Sequence, residues 1–283
     1  ILQALGIEEP GEIDLEAVRA VIFEAGKAIL EVYRAEDFHV RSKEDRSPLT
    51  LADTRSHEIL GRGLRSLYPG IPLLSEEGRE TSFAVRKEWP VFWLVDPLDG
   101  TKEFIKKNDE FTINVALVEA HRPVLGFVYL PVLDLFYIGD VREGCWEVRR
   151  EERKPLKAAV PDGGKPVRVL KSRSHPSPQV EDLLSLLPSH ESMDRGSALK
   201  FCAVASGEAE FYPRFGPTWE WDTAAGQAVV EAAGGIVVDP WGNPLSYNKP
   251  DLLNGPFLAA ADLEWLRNSG LLEKASDLVH KKH

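Results

Sequence analysis

The sequence predicts an α+β protein folded as a layered αβ sandwich, and three observations carry that expectation. The chain opens with helix-periodic segments and continues through strand-like runs that read as an antiparallel meander. Its second half alternates short apolar runs with helical ones. Of its 283 residues 43% are hydrophobic and 28% charged, which excludes disordered, collagenous and coiled-coil chains. The chain is long enough for one large domain or two lobes. The charged, Pro/Gly-rich segment from Arg149 to Pro166 marks the expected boundary, giving an α+β lobe over residues 1–155 and a mixed α/β lobe over 156–283.

In the first helix, Leu15, Val18, Ile22, Ala25, Ile29 and Tyr33 recur at helical spacing behind a capping Asp14. A second follows Thr50, where Thr50-x-x-Asp53 reads as a capping box and Ile59, Leu60, Leu64 and Leu67 as the inner face, up to Tyr68-Pro69-Gly70. Ile71 to Ser75 and Val91 to Val95 read as buried strands, each ending at an acid. From Phe111 to Gly139, FTINVALVE, HRPVLGFVYL and VLDLFYIGD form the meander. Beyond the boundary come a strand near Val167 to Lys171, helices near Gln179 to Leu187 and Leu199 to Ala205, and a strand at Glu210 to Tyr212. A helix from Asp222 to Ala233 stops at Gly234-Gly235, before a strand from Ile236 to Asp239.

Three acidic segments carry the chemistry. Asp96-Pro97-Leu98-Asp99-Gly100-Thr101 follows the strand VFWLV; its two carboxylates, with a backbone carbonyl between them, can converge on one side of a turn and offer the oxygen ligands that hard cations need. Gly100 permits a sharp turn, and Thr101 opens a short helix through Phe104 whose free N–H groups suit a phosphate. Ser75-Glu76-Glu77-Gly78 places acids at a strand end, and Trp221-Asp222-Thr223-Ala224-Ala225-Gly226 places one at the start of a helix of small residues that can pack closely. Each segment alone is also ordinary turn or cap chemistry. Together, Glu76, Asp96, Asp99 and Asp222 with the Leu98 carbonyl suffice for a two-cation site.

This combination resembles the inositol monophosphatase superfamily of lithium-sensitive, magnesium-dependent phosphomonoesterases, and the resemblance implies a layered αβαβα sandwich, the inositol monophosphatase / fructose-1,6-bisphosphatase-like fold. Gly196-Ser197-Ala198-Leu199-Lys200-Phe201-Cys202, Phe211-Tyr212-Pro213-Arg214-Phe215-Gly216-Pro217, the run Glu220 to Gly226 and the early run Ser42 to Asp53 are similar to its CysQ-type 3′(2′),5′-bisphosphate nucleotidase branch. The similarity runs from about Leu15 to about Gly242.

The resemblance implies that Glu76, Asp96, Asp99, Asp222 and the Leu98 carbonyl bind two or three Mg²⁺ ions. Glu76, Thr101 and Asp45 would aim the attacking water, with Asp53 in support. Gly100 and Thr101 would touch the scissile phosphate. Ser197, Lys200 and Arg214 would hold a second phosphate, and His175 would stand beside the nucleotide. The implied reaction releases the 3′-phosphate of adenosine 3′,5′-bisphosphate, leaving AMP; the alternative is an inositol monophosphatase on the same metal site. No Ser-His-Asp arrangement is visible in the motifs, in keeping with a phosphatase that needs charge neutralisation and an in-line water rather than a covalent side chain. The C-terminal His280-Lys281-Lys282-His283 reads as a solvated tail.

The formal net charge of −11 argues against a nucleic-acid polymer as partner. It does not exclude a small phosphorylated nucleotide, because several acids are the proposed metal seats and bound Mg²⁺ reverses the local field. Two cysteines, Cys145 and Cys202, read as small buried hydrophobes and suit a reducing compartment. With no apolar run of membrane-spanning length and no signal-like opening, the expected location is the cytoplasm, with peripheral association at the inner face of the membrane as the variant.

Overall fold

A computed structural model describes residues 13–35, 48–78, 81–172 and 177–280. Helix α1 (Leu15–Tyr33) begins as its periodicity indicates: the Asp14 carboxylate accepts the N–H groups of Glu16 and Ala17, both at 3.0 Å. Such a cap is worth about 1 kcal/mol. Helix α2 (Pro48–Leu67) packs along α1. It starts before Thr50, so Thr50 is inside the first turn and is not a cap; Pro48 takes the first helical position, where its missing N–H costs nothing. Its inner line is Ala52, Ser56, Leu60 and Leu64, four residues apart and fully buried, whereas Leu67 is 40% exposed.

The first sheet has seven strands in sequence order: β1 (Leu73–Ser75), β2 (Val91–Asp99), β3 (Thr112–Glu119), β4 (Arg122–Leu130), β5 (Leu135–Asp140), β6 (Gly144–Arg149) and β7 (Glu152–Leu156). β1 runs parallel to β2 and every other pair is antiparallel. The expected meander is β3–β5, and a further hairpin, β6–β7, occupies the start of the charged Arg149 to Pro166 segment. In β2 and β3 the odd positions Val91, Trp93, Val95, Ile113, Val115 and Leu117 pack beneath α1 and α2. The even positions Phe92, Leu94, Ala116 and Val118 face the opposite side.

Short helices α3 (Phe83–Arg86) and α4 (Thr101–Lys106) flank β2 in sequence. In the second half come β8 (Val167–Ser172), α5 (Pro178–Leu184), β9 (His190–Arg195), α6 (Leu199–Ala205), β10 (Phe211–Arg214), β11 (Thr218–Trp219) and α7 (Glu220–Ala232). They are followed by β12 (Ile236–Val238), β13 (Leu253–Asn254), β14 (Phe257–Ala260), α8 (Leu263–Asn268) and α9 (Leu271–His280). A five-stranded mixed sheet has the order β12-β14-β10-β8-β9, and β11 pairs with β13. Helices α6 and α7 lie between the two sheets, while α5, α8 and α9 cover the outer face of the second. The layers are therefore α1/α2, sheet, α6/α7, sheet and α5/α8/α9, the αβαβα sandwich that the resemblance implies.

The central layer is drawn in tightly. A β-carbon on Gly126 would stand 2.3 Å from the Ala225 carbonyl oxygen, and one on Gly139 would stand 2.6 Å from the Val229 Cα. From the other side, a β-carbon on Gly226 would meet the Phe201 ring at 2.3 Å. Bare backbone at these three positions lets α7 lie directly on the sheet and under α6. Both free cysteines are buried. Among the described residues no helix is long and apolar enough to cross a membrane.

Candidate active site

Asp96 and Asp99 are three residues apart, which in a regular strand would put them on opposite faces. Strand β2 instead continues through Pro97 to Asp99 and carries a bulge: Asp96 pairs with Asn114 and Asp99 with Thr112, two positions that share a face of β3. Convergence of the two acids thus comes from an extra residue in a strand rather than from the turn expected at Asp96. The bulge is pinned at both ends. The Leu98 N–H donates to Asp96 Oδ1 at 3.0 Å, and the Ser56 hydroxyl of α2 donates to the Pro97 carbonyl at 2.8 Å. The Leu98 side chain is buried with the residues packed under α2.

Because β1 and β2 are parallel, with Leu74 opposite Leu94 and Ser75 opposite Val95, Glu76 follows at the strand end beside Asp96. Its N–H donates to the Val95 carbonyl at 3.2 Å. Asp222 comes to the same face on the first turn of α7. The helix starts at Glu220, so Asp222 is not the cap itself; its carboxylate reaches back to accept the Trp219 N–H at 2.7 Å. The start of α7 is further fixed by Glu220, fully buried, which accepts the Asn248 N–H at 2.6 Å and the Lys249 ammonium at 2.6 Å.

Asp96, Glu76, Asp222 and Asp53 all bind their protons more tightly than isolated carboxyls do. Burial first, then the charges of Asp99, Glu76, Asp222 and Asp53, push Asp96 well above the usual carboxylate range. Burial and the nearby Asp99 raise Asp222 to about 7, against the opposing pull of the Trp219 N–H. Burial with Glu77 and Glu76 raises Asp53 to about 8, and burial also raises Glu76, which shares a hydrogen bond with Asp96. Among the described residues no group of three or more His, Cys, Asp or Glu is close-set enough to form a finished cation cage. The donors are nonetheless all oxygens, and Asp53 Oδ1 is buried without a hydrogen-bond partner. Hard divalent cations fit such a set, since they take oxygen ligands and relieve stranded negative charge.

In front of the acids lies a cavity of about 560 Å³ whose lining includes Asp99, Gly100, Thr101, Ser197, Lys200, Arg214 and Asp222. Gly100 has φ 94°, and a β-carbon there would press within 3.1 Å of the Glu110 carbonyl oxygen. Helix α4 starts at the next residue, so the first N–H groups after Gly100 have no partner within the helix. Lys200 is buried, which lowers its ammonium to about 8. Its protons go to the Ser197 carbonyl at 2.7 Å and the Arg195 carbonyl at 3.3 Å. Arg214 donates to the Pro217 carbonyl at 3.3 Å, while its Nε is buried without a partner. Lys200 and Arg214 thus share one cavity with the Asp99 and Asp222 carboxylates, and Lys102, Glu103 and Arg195 also line it.

Ser197 lines this cavity, and its hydroxyl donates to Asp99 Oδ2 at 2.5 Å and lies 2.5 Å from the Thr112 hydroxyl. Thr112 and Asn114 are site residues that the sequence reading passed over. Both are buried, and the Asn114 amide donates to Asp99 Oδ2 at 3.3 Å. A signal was present, since Thr and Asn interrupt the apolar face of FTINVALVE at alternate positions. Asp45 and His175 lie outside the described residues.

The profile of the inositol monophosphatase family matches residues 11–280. The chain belongs to this family, whose members are generally metal-dependent. It is 46% identical over 244 residues to the 3′(2′),5′-bisphosphate nucleotidase CysQ of Escherichia coli K12, covering 86% of this chain and 97% of that protein. The crystal structure of CysQ from Bacteroides thetaiotaomicron superimposes with a TM-score of 0.79 at 39% identity, over 87% of this chain and 97% of that one. Inositol monophosphatase II of Staphylococcus aureus MSSA476 shares the fold, with a TM-score of 0.76 at 23% identity over 95% and 96% of the two chains.

Proposed function

We propose that this chain is a 3′(2′),5′-bisphosphate nucleotidase that hydrolyses the 3′-phosphate of adenosine 3′,5′-bisphosphate to give AMP and phosphate. The observation that carries the reading is the placement of Lys200 and Arg214 in one cavity with Asp99, Thr101 and Asp222. A monophosphate needs cationic help only at the reacting group; two fixed cations beyond the acids supply a seat for a second phosphate. Likeness to CysQ proteins at 46% identity supports the same substrate class over an inositol phosphate, since the inositol monophosphatase named above is 23% identical.

Glu76, Asp96, Asp99 and Asp222, with the Leu98 carbonyl, would hold two or three Mg²⁺ ions, and Asp53 would support them. Bound there, divalent cations neutralise phosphate charge, lower the pKa of water and stabilise the departing oxygen. Glu76 and the Thr101 hydroxyl, joined by Asp45, orient the attacking water and accept its proton. The N–H groups of Gly100 and Thr101 hold the scissile phosphate, while Lys200 and Arg214 grip the non-reacting phosphate. Binding energy gathered there aligns the reacting phosphorus. Ser197 borders the same phosphate seat, and His175 is assigned to the nucleoside side through the resemblance of its segment. The chain would work as two lobes, residues 1–155 with most cation ligands and 156–283 with Asp222 and the phosphate cations, in the cytoplasm or at the inner face of the membrane.

Turnover of adenosine 3′,5′-bisphosphate and inositol 1-phosphate, measured side by side in Mg²⁺, tests the reading. Preference for the nucleotide is expected; preference for the inositol ester would overturn it.

A further inference from the structure

Ser197 occupies an unusual place between the two halves of the cavity. Its backbone is left-handed, with φ 49°, a conformation that non-glycine residues rarely adopt without tertiary support. The support is visible. The preceding Gly196 donates its N–H to Glu110 Oε2 at 2.8 Å, and a β-carbon on Gly196 would stand 2.7 Å from Glu103 Cγ, so this peptide is seated hard against the first sheet's side of the cleft. So held, Ser197 faces two ways. Its carbonyl accepts the Lys200 ammonium at 2.7 Å, and its hydroxyl donates to Asp99 Oδ2 at 2.5 Å. Behind the hydroxyl, Thr112 donates to Asn114 Oδ1 at 2.9 Å, and its oxygen lies 2.5 Å from Ser197 Oγ, a contact in which either hydroxyl can be the donor. Thr112 and Asn114 are buried on β3, which makes this a stiff backing.

We propose that Ser197 is a positioning residue that couples phosphate binding at Lys200 to cation binding at Asp99. The inference rests on the nucleotidase reading for the identity of the phosphate. A phosphate drawn to Lys200 reorients an ammonium already bonded to the Ser197 carbonyl, and that peptide carries the hydroxyl that sets the Asp99 carboxylate. One residue thus links the cation that grips the non-reacting phosphate to an acid that receives the metal. Selectivity for bisphosphates over monophosphates then comes partly from completion of the cation site when the second phosphate arrives. By linkage the effect is reciprocal: AMP tightens Mg²⁺ by the factor by which Mg²⁺ tightens AMP.

The experiment is calorimetric titration of the full chain with Mg²⁺, with and without saturating AMP, which keeps the 5′-phosphate and lacks the scissile one. For the wild type the expected coupling factor is at least about fivefold. Ser197→Gly keeps the left-handed backbone and removes the hydroxyl, and its factor should drop below about twofold whatever its affinity for Mg²⁺ alone. Thr112→Val, which removes the backing hydroxyl without touching the left-handed residue, should give an intermediate factor and serves if the glycine variant fails to fold. Full coupling retained in both variants overturns the proposal. A wild type that binds AMP and Mg²⁺ independently also overturns it while leaving the nucleotidase reading intact. Failure of the wild type to bind AMP at all removes that reading and the coupling with it.

Discussion

An alanine at Gly126 drives a methyl group into the backbone of α7. Its β-carbon would lie 2.3 Å from the Ala225 carbonyl oxygen and 2.8 Å from the Ala228 β-carbon. A carbon and a carbonyl oxygen rest about 3.3 Å apart, so helix and sheet must separate by about 1 Å. Overpacking of this kind costs about 1–3 kcal/mol, and the chain entropy that alanine removes from the unfolded state returns about 0.4–1 kcal/mol. A net loss of about 1–2 kcal/mol lowers the melting temperature by about 2–3 °C in a chain of this size. The effect on catalysis is larger, because Asp222 is one helical turn from Ala225 and moves with it. Misplacement by about 1 Å is enough to cost about 100-fold in rate. Thermal melts and Mg²⁺-dependent kinetics of Gly126→Ala should be set beside Gly70→Ala, whose β-carbon meets nothing within 4 Å. An unchanged melting temperature would refute the close-packing argument. A lowered melting temperature with the wild-type Mg²⁺ requirement and rate would refute the claim that α7 fixes Asp222.

Lys200→Ala and Arg214→Ala should each reduce kcat/KM for the bisphosphate by about 10- to 100-fold, on the scale of a lost charge-assisted hydrogen bond, and reduce a monophosphate far less; equal losses on both substrates would count against their role. Asp222 near 7 and Asp53 near 8 sit above the unfolded carboxylate value, so the folded, metal-free chain binds extra protons between about pH 4 and 8. Their contribution to stability is therefore full below about pH 4 and is lost as pH rises through 7 to 8, where Mg²⁺ competes best. The Mg²⁺-induced rise in melting temperature over an EDTA control should be larger at pH 8 than at pH 5.5, and the reverse order would contradict this account. Glu220→Ala leaves two backbone N–H groups without their acceptor and takes the ion pair from Lys249, whose ammonium keeps the Ser246 carbonyl and Asn254; about 2–3 kcal/mol of stability should be lost, and a loss under 1 kcal/mol in denaturant titration would show that the network is dispensable.

How much was legible in the sequence depended on whether the signal was local. The α1 periodicity with its Asp14 cap and the β3–β5 alternation are written within a few residues, and each lies where it was expected; the acids of DPLDGT are equally local in sequence, yet they lie in a bulged strand rather than in a turn. Strands β7 and β9 were missed for a shared reason. They are the outermost strands of their sheets, and ERKPL and HESMDR carry charges in place of an apolar face. The false capping box at Thr50 arose because two letters at the right spacing do not reveal whether the helix has already begun.

Composition and motif thus named the candidate groups: the all-oxygen acids, the glycine turn before a helix start, and the cations of the second half. The sequence could name Asp96 and Asp99, but the β-bulge that brings them to one face exists only when β2 pairs with β3. It could name Ser197 and Lys200, but the bond from Ser197 to an aspartate 98 residues away required two sheets to close on one helical layer. Hydrophobic period is a property of neighbours in the chain. Register, bulges and cross-layer hydrogen bonds are properties of partners that meet only after that period has driven burial, and there the tertiary structure decided.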